Sequence, residues 1–388
     1  ESVPRRLRLL VVVTHPIQYF APWFRHLAQR PEIDVKIIYL RQLDTVAQGV
    51  GFGTAFSWDV PLLEGYVSET VHAPTGAWSA LRRLPTLWRT LRVAKADAIV
   101  VTGWQEPLLA AAIPLTRLLG VPLILRGESN DLRERGGVAR TLHRVIVAMA
   151  SAAIVIGKSN RAFYEKASAN RLPVFDGAYF VDNHHMSQMA LSHSGERDAL
   201  RRADRADENT VVFAFCGKHV AFKRPDWLVE AAGRLVAEGS RLSLRFAGSG
   251  EMTDALKARC AELRVTANFT GFLNQTEMWK AYIGADIFVL PSTNRETWGP
   301  VVNEAMVFGL PAIVSDEVGC GPDLVIEDET GWVFSGGVDG LAAAMRRAIT
   351  HRDRLPAMGV AARERVTTRY MMDVATDGLL AAVRSVVR

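Results

Sequence analysis

Residues 287–316 read IFVLPSTNRETWGPVVNEAMVFGLPAIVSD, and this stretch decides how the chain folds. Ile287–Leu290 is an apolar run of strand length, closed by Pro291. A polar loop from Ser292 to Gly299 follows, and a helical stretch occupies Val301–Phe308. Pro300 falls near the first helical position, where its missing N–H costs nothing because that donor is unpaired in any helix. A second apolar run, Ala312–Val314, comes after Gly309 and Pro311. Strand, helix and buried strand in this order make the βαβ unit of a parallel sheet.

The same alternation extends in both directions. Upstream in the second half, strands are predicted at Val211–Cys216, Leu242–Ala247 and Asn268–Thr270, and downstream at Gly331–Phe334. Helices are predicted at Trp227–Glu238 and Met252–Leu263. In the first half the strand candidates are Arg8–Val13, Val35–Leu40, Ala98–Val101, Pro122–Leu125 and Ala153–Ile156, with helices at Ala21–Gln29, Leu108–Leu119 and Val138–Ala150. A chain of 388 residues is too long for one core. The expected architecture is α/β: two Rossmann-like domains whose parallel sheets face each other across a cleft. The polar stretch Met186–Asn209 marks the boundary, giving domains at 1–190 and 191–370. The last helix, about Val374–Val387, has no strand after it and is expected to pack back on the first domain.

Hydrophobic residues at 49% and charged residues at 22% fit a globular chain and exclude a disordered one. Cys216, Cys260 and Cys320 lack the spacing of a disulfide framework or a zinc knuckle. No apolar run approaches the ~18 residues of a membrane-spanning helix, and Leu9–Val13 is too short for a signal peptide. The expected location is cytoplasmic, either free or peripheral at the inner face of the membrane. Residues 1–190 hold 22 Lys+Arg against 15 Asp+Glu, whereas residues 191–388 hold 24 against 26. The basic first half is thus the one expected to meet an anionic group. No zinc-finger, RRM-like or basic-zipper signature is present, so nucleic acid is not the expected partner.

In open parallel sheets, ligands sit beyond the carboxyl ends of the strands. Three loops of the second half stand there. Gly217-Lys218-His219-Val220-Ala221-Phe222-Lys223 follows the first strand, with two lysines five apart that suit the charges of a diphosphate. Gly248-Ser249-Gly250 ends the next strand in small residues that allow close approach to the backbone. The third loop carries Glu296, and the helix after it carries Glu304. Carboxylates suit sugar hydroxyls because each accepts two hydrogen bonds in fixed geometry. Each feature also has a plain alternative: solvated lysines, an ordinary turn, and surface or helix-dipole glutamates.

Glu296 and Glu304 are separated by seven residues, and the run around them resembles the EX7E signature of retaining glycosyltransferase family 4, a GT-B fold family. The resemblance extends in order through "GKHVAFKRP", "FAGSGE", "FTGFL" and "DETGWVF", covering about Val211–Phe334. The opening "VVVTHPIQYFAPWFRHLA" is similar to that of a branch of these transferases. The resemblance implies that Lys218 and Lys223 hold the diphosphate, with Gly217, Gly248 and Gly250 beside the donor. It implies Glu304 on the ribose, and Glu296 on the transferred sugar with backbone amides of Trp298, Gly299 and Val301 and the turn at Pro300. Phe272 and Leu273 then lie against the nucleobase. Lys218 stands where the family has Arg, which keeps the charge and loses the bidentate fork.

In the first half, His15, Gln18 and Tyr19 follow the first strand and are candidate acceptor or cleft residues. His15 reads either as a ligand or as a turn histidine fixed by Pro16. Arg126 and Glu128 follow a later strand, as cleft residues or as a plain ion pair. The histidine that the family often carries at that place is absent. Trp78–Arg92 interleaves tryptophans and leucines with arginines. It reads as a possible membrane-surface segment or as a core-facing helix with a solvated arginine face, with Pro85 expected to interrupt it.

No Asp-x-Asp occurs, so no metal or other cofactor is expected, and the lysines would take the cation's place. The expected function is retaining transfer of a sugar from a UDP- or GDP-sugar to a glycan, lipid-linked or small-molecule hydroxyl, in polysaccharide or glycoconjugate biosynthesis. The alternatives are a GT-B epimerase or phosphorylase, or a non-catalytic nucleotide-binding partner subunit.

Overall fold

The computed structural model describes residues 5–71, 79–132, 135–293 and 295–387. By contacts the chain forms two compact units. The first comprises Glu1–Asp44, Pro61–Tyr179 and Met372–Arg388; the second comprises Thr45–Val60 and Phe180–Met371. Chain thus passes between the units four times. The polar stretch Met186–Asn209 is largely helical, with helices at Asn183–Ser192 and Arg197–Ala203.

The first unit is built on the parallel strands β1 (Leu7–Val13), β2 (Ile33–Tyr39), β3 (Val67–Thr70), β4 (Ala98–Val101), β5 (Leu123–Leu125), β6 (Ala152–Val155) and β7 (Val174–Asp176). Their order across the sheet is β3-β2-β1-β4-β5-β6-β7. Leu10, Val12, Ile99, Val101 and Leu123 on one face pack with Leu109, Ile113 and Val147 from the covering helices. Helix Met372–Val386 packs against β6 and β7, burying Leu379, Leu380 and Val383. Trp23 Nε1 donates to Thr376 Oγ1 at 3.0 Å, joining the helix Phe20–Ala28 to that last helix.

The second unit holds β8 (Val211–Cys216), β9 (Leu242–Ala247), β10 (Ala267–Gly271), β11 (Ile287–Leu290), β12 (Ala312–Ser315) and β13 (Gly331–Phe334). These are also parallel, in the order β10-β9-β8-β11-β12-β13. Strands β8, β11 and β12 are buried along their whole length, which is why they read as near-continuous apolar runs; β9 is equally buried but carries Ser243 and Arg245. In each sheet the strand order reverses once, between β1 and β4 and between β8 and β11. Loops at such a reversal diverge and leave a crevice at the carboxyl ends of the strands.

Two expectations change. The helix Ser79–Val93 runs through Pro85 instead of breaking there. Proline removes one hydrogen bond from the helix interior, and the fully buried Leu87 and Leu91 hold the helix on the core in spite of it. The strands β3 and β7 have no counterpart among the predicted strands. Both lie at sheet edges, where β3 reads Val-Ser-Glu-Thr with Val67 60% exposed and β7 is only three residues long. Trp78 lies outside the described residues; of the rest of that segment, Arg82, Arg89 and Arg92 are exposed. No described helix is long and apolar enough to cross a membrane.

Candidate active site

Strands β8 and β11 flank the reversal in the second sheet, and the two lysines and Glu296 stand on the loops that follow them. Backbone geometry joins these loops. Thr293 donates to the Phe222 carbonyl through its N–H at 2.8 Å and through Oγ1 at 3.1 Å. The β8 loop is tied to the next turn as well, since the His219 N–H donates to the Ser249 carbonyl at 2.9 Å. Gly248 makes that closeness possible: with φ +120° it sits where a Cβ would come within 2.0 Å of the Gly217 carbonyl oxygen.

On this frame Lys223 Nζ donates to Glu296 Oε2, and Ser292 Oγ donates to the same oxygen at 3.0 Å. The two charged side chains are 15% and 10% exposed, so the pair is largely withdrawn from water but still reachable. Lys218 Nζ donates to the Val50 carbonyl at 2.6 Å and lies 5.1 Å from the Phe52 ring centroid. Burial, with the nearby Lys223 charge, lowers the Lys218 ammonium below the usual lysine value. Glu304 is fully buried on the helix Pro300–Val307 and accepts a hydrogen bond from Tyr282 at 2.6 Å.

The charges also act on common neighbours. Burial pushes the Cys216 thiol up to about 12; Glu304 adds to that rise, while Tyr282 and Lys223 oppose it. Burial likewise holds the Cys320 thiol well above its ordinary value, with Glu296 raising it and Lys223 lowering it. Lys218, Lys223, Glu296 and Glu304 therefore belong to one electrostatic neighbourhood at the ends of β8 and β11.

The loop carrying Glu296 is rigidly seated. Trp298 is 2% exposed, and its Nε1 donates to Asn303 Oδ1 at 2.8 Å. Gly299 takes φ +97° immediately before Pro300, which starts the helix. Gly319 N–H donates to the Glu296 carbonyl at 3.0 Å, and a Cβ on Gly319 would lie 1.8 Å from the Thr297 carbonyl oxygen. Val301 is partly buried in the first helical turn. Gly217 and Gly250 are half-buried, and Phe272 and Leu273 follow β10 on a half-buried loop.

Several contributors have no sequence signal. Tyr282 comes from the short helix Trp279–Tyr282 and Ser292 from the strand end. His219 is fully buried, with Nδ1 2.8 Å from Thr253 Oγ1, and that hydroxyl accepts from the Gly250 N–H at 3.0 Å. Burial, helped by the Lys257 charge, lowers the His219 imidazole to about 4, so it is neutral at pH 7. A separate cavity of about 600 Å³ opens beside Arg197, Arg201 and Arg352. Arg197 and Arg201 are both paired with Asp286, so their charge is already matched.

The residues singled out in the first unit lie on the loops that follow β1 and β5. His15 lies just beyond β1, its Nδ1 3.0 Å from Thr14 Oγ1. Burial and then the Arg41 charge lower it to about 4, which keeps it neutral at pH 7. Gln18 and Tyr19 are half-buried in the turn before the helix Phe20–Ala28. Arg126 is 1% exposed, 3.9 Å from Glu128, with its guanidinium 4.8 Å from the Phe20 ring and 5.3 Å from the Trp23 ring. Glu128 is half-buried. Among the described residues no three or more His, Cys, Asp or Glu are grouped as metal ligands would be.

Known proteins resemble this chain in part of its sequence and in its fold. Residues 196–365, which include most of the second unit, match the family model of glycosyl transferases group 1. The whole chain shares its fold with the crystal structure of Anabaena HepE in complex with UDP and glucose. The TM-score is 0.70 at 15% identity, covering 98% of this chain and 100% of that one. The fold is GT-B.

Individual relatives are similar over shorter spans. An uncharacterised glycosyltransferase of Methanocaldococcus jannaschii is 31% identical over 158 residues, 40% of each chain. A GDP-mannose-dependent alpha-(1-6)-phosphatidylinositol monomannoside mannosyltransferase of Mycobacterium tuberculosis is 31% identical over 186 residues, 46% of this chain and 48% of that protein. The matched part spans between about a quarter and a half of the first such relatives.

Proposed function

We propose that the chain is a retaining glycosyltransferase of the family 4 type, moving a sugar from a UDP- or GDP-sugar to a hydroxyl of a glycan, glycolipid or small molecule. The observation that carries this reading is the pairing of Lys223 with Glu296 at the strand-order reversal, with Lys218 on the same loop. Two cations and a carboxylate there suit a diphosphate beside a sugar. The match to glycosyl transferases group 1 over this same region supports it, as do relatives named for GDP-mannose and a similar fold crystallised with UDP and glucose.

In this reading Lys218 and Lys223 neutralise the charge that grows on the leaving nucleoside diphosphate, a task served elsewhere by a metal ion. Glu296 accepts hydrogen bonds from hydroxyls of the transferred sugar, and Glu304, fully buried and bonded to Tyr282 in this structure, accepts from the ribose once that contact opens. The bond from the anomeric carbon to the β-phosphate oxygen breaks. The acceptor oxygen bonds to that carbon on the same face, and its proton passes to the departing phosphate. The anomer is thereby retained. His15, Gln18, Tyr19, Arg126 and Glu128 are assigned to the acceptor.

A thermal-shift panel of UDP- and GDP-sugars tests the donor class, since a bound ligand raises apparent stability by mass action. One nucleotide series is expected to raise the melting temperature in the presence of EDTA; no shift with any of them overturns the proposal. Proton NMR of the product then reads the anomer, and an inverted one removes the retaining step.

A further inference from the structure

Thr45–Val60 belongs to the second unit, although the strands before and after it, β2 and β3, lie in the first. This segment meets three of the loops that the proposed function assigns to the donor: those carrying Lys218, Ser249 and Phe272. The Val50 carbonyl accepts the Lys218 ammonium at 2.6 Å. The Phe52 carbonyl accepts Ser249 Oγ at 2.6 Å, in the middle of the Gly248–Gly250 turn. Phe56 lies on Phe272 with ring centroids 4.2 Å apart and planes at 34°, while Phe52 meets the same ring edge-on at 5.0 Å. Beyond them, Asn274 Nδ2 donates to the Ser57 carbonyl at 2.7 Å. Asp59 accepts hydrogen bonds from the Thr276 hydroxyl and, at 3.2 Å, from its N–H.

We propose that Thr45–Val60 is an internal competitor for the donor site, and that a nucleoside diphosphate binds by displacing it. The inference rests on the glycosyltransferase reading above. Sterics support it first. Carbon atoms pack no closer than about 3.5 Å, so a flat base between two rings needs them about 7 Å apart. Phe56 already holds the near face of Phe272 at 4.2 Å, so a base stacks there only when Phe56 leaves.

The polar contacts follow the same logic. A neutral carbonyl now accepts from Lys218, and a phosphate oxygen would replace it with an ion pair between opposite full charges. The segment is also lightly held: Val46 and Val50 are 68% and 67% exposed, and most of its residues face solvent. Few buried contacts and an exposed backbone mark a segment that opens at low cost.

Calorimetric titration of the full chain with UDP and with GDP provides the test, comparing the parent with Asp59→Ala and Phe56→Ala. Neither substitution touches Lys218, Lys223 or Glu296. A segment closed nine-tenths of the time weakens apparent affinity about tenfold, so each variant is expected to bind its nucleotide up to about tenfold more tightly. In the parent, hydrogen exchange over 45–60 is expected to quicken on nucleotide addition while exchange over 217–224 slows. Variants that bind no more tightly than the parent overturn the proposal, as does slower exchange over 45–60, which would make the segment a wall of the site. If no form of the protein binds either nucleotide, the transferase reading falls and this inference with it. Melting temperatures of both variants establish that each is folded.

Discussion

Glu296 and Lys223 each depend on the other. Replacing Glu296 with Gln removes the carboxylate charge and leaves Lys223 largely buried beside a neutral amide. A hydrogen bond to a charged group contributes about 1.5–3 kcal/mol, which converts to a loss of about 10- to 150-fold if the bond is made only in the transition state. Glu296→Gln is therefore expected to lower kcat by that factor with little change in KM, whereas Glu304→Ala raises KM for the donor. Steady-state kinetics separate the two, and full activity in both variants would remove them from the site. His219 offers a different measurement. Its folded value is about 4 and its unfolded value about 6.5, so between these the unfolded chain binds more protons. Stability contributed by the neutral imidazole is thus lost as pH falls from about 6.5 to about 4, by at most about 1.4 kcal/mol per unit. His219→Gln is expected to flatten that acid limb in melting temperature against pH. His15, lowered to about 4 as well, leaves part of the slope in place.

Strand ends and turns hold the loops of the site in place. Gly248 allows β8 and β9 to end side by side, because no Cβ intrudes on the Gly217 carbonyl. Gly248→Ala combines a clash with a φ of +120°, where a side chain is strained by about 1–3 kcal/mol even without the clash. It is expected to lower the melting temperature and to abolish nucleotide binding. Gly136→Ala is the control, since its Cβ meets no atom within 4 Å and its φ is −61°. Equal melting and binding in the two variants would disprove the role given to Gly248. Burial and position in the sheet decide which elements the sequence expresses. Strands β8, β9, β11 and β12 were legible because every residue in them is buried. β3 and β7 were not, because an edge strand needs no apolar run. Lys218, Lys223 and Glu296 were legible because each sits on a loop directly after a strand. Tyr282 and His219 act through partners many residues away, and Thr45–Val60 reaches its loops only through the fold. Arg245, in mid-strand, is explained by Asp204, its buried ion-pair partner 41 residues earlier, and by the Lys280 and Ile283 carbonyls to which it donates.

Across the whole molecule, the last helix is part of the first unit's core. Leu379 is fully buried there, on the helix that packs against β6 and β7. Leu379→Ala is expected to cost about 2–5 kcal/mol, as for other large-to-small core substitutions. The loss should appear as faster hydrogen exchange in β6, β7 and the helix Phe20–Ala28, with the strands of the second unit unchanged. Uniform loosening of both units would contradict the division described here. The same arrangement bears on biosynthesis. A ribosome completes β1 through β7 long before it reaches Met372, and the whole second sheet is made in between. At about 5–20 residues per second, the roughly 190 intervening residues take on the order of 10–40 seconds. Throughout that interval β6 and β7 lack the apolar cover that Leu379, Leu380 and Val383 give them in the finished chain.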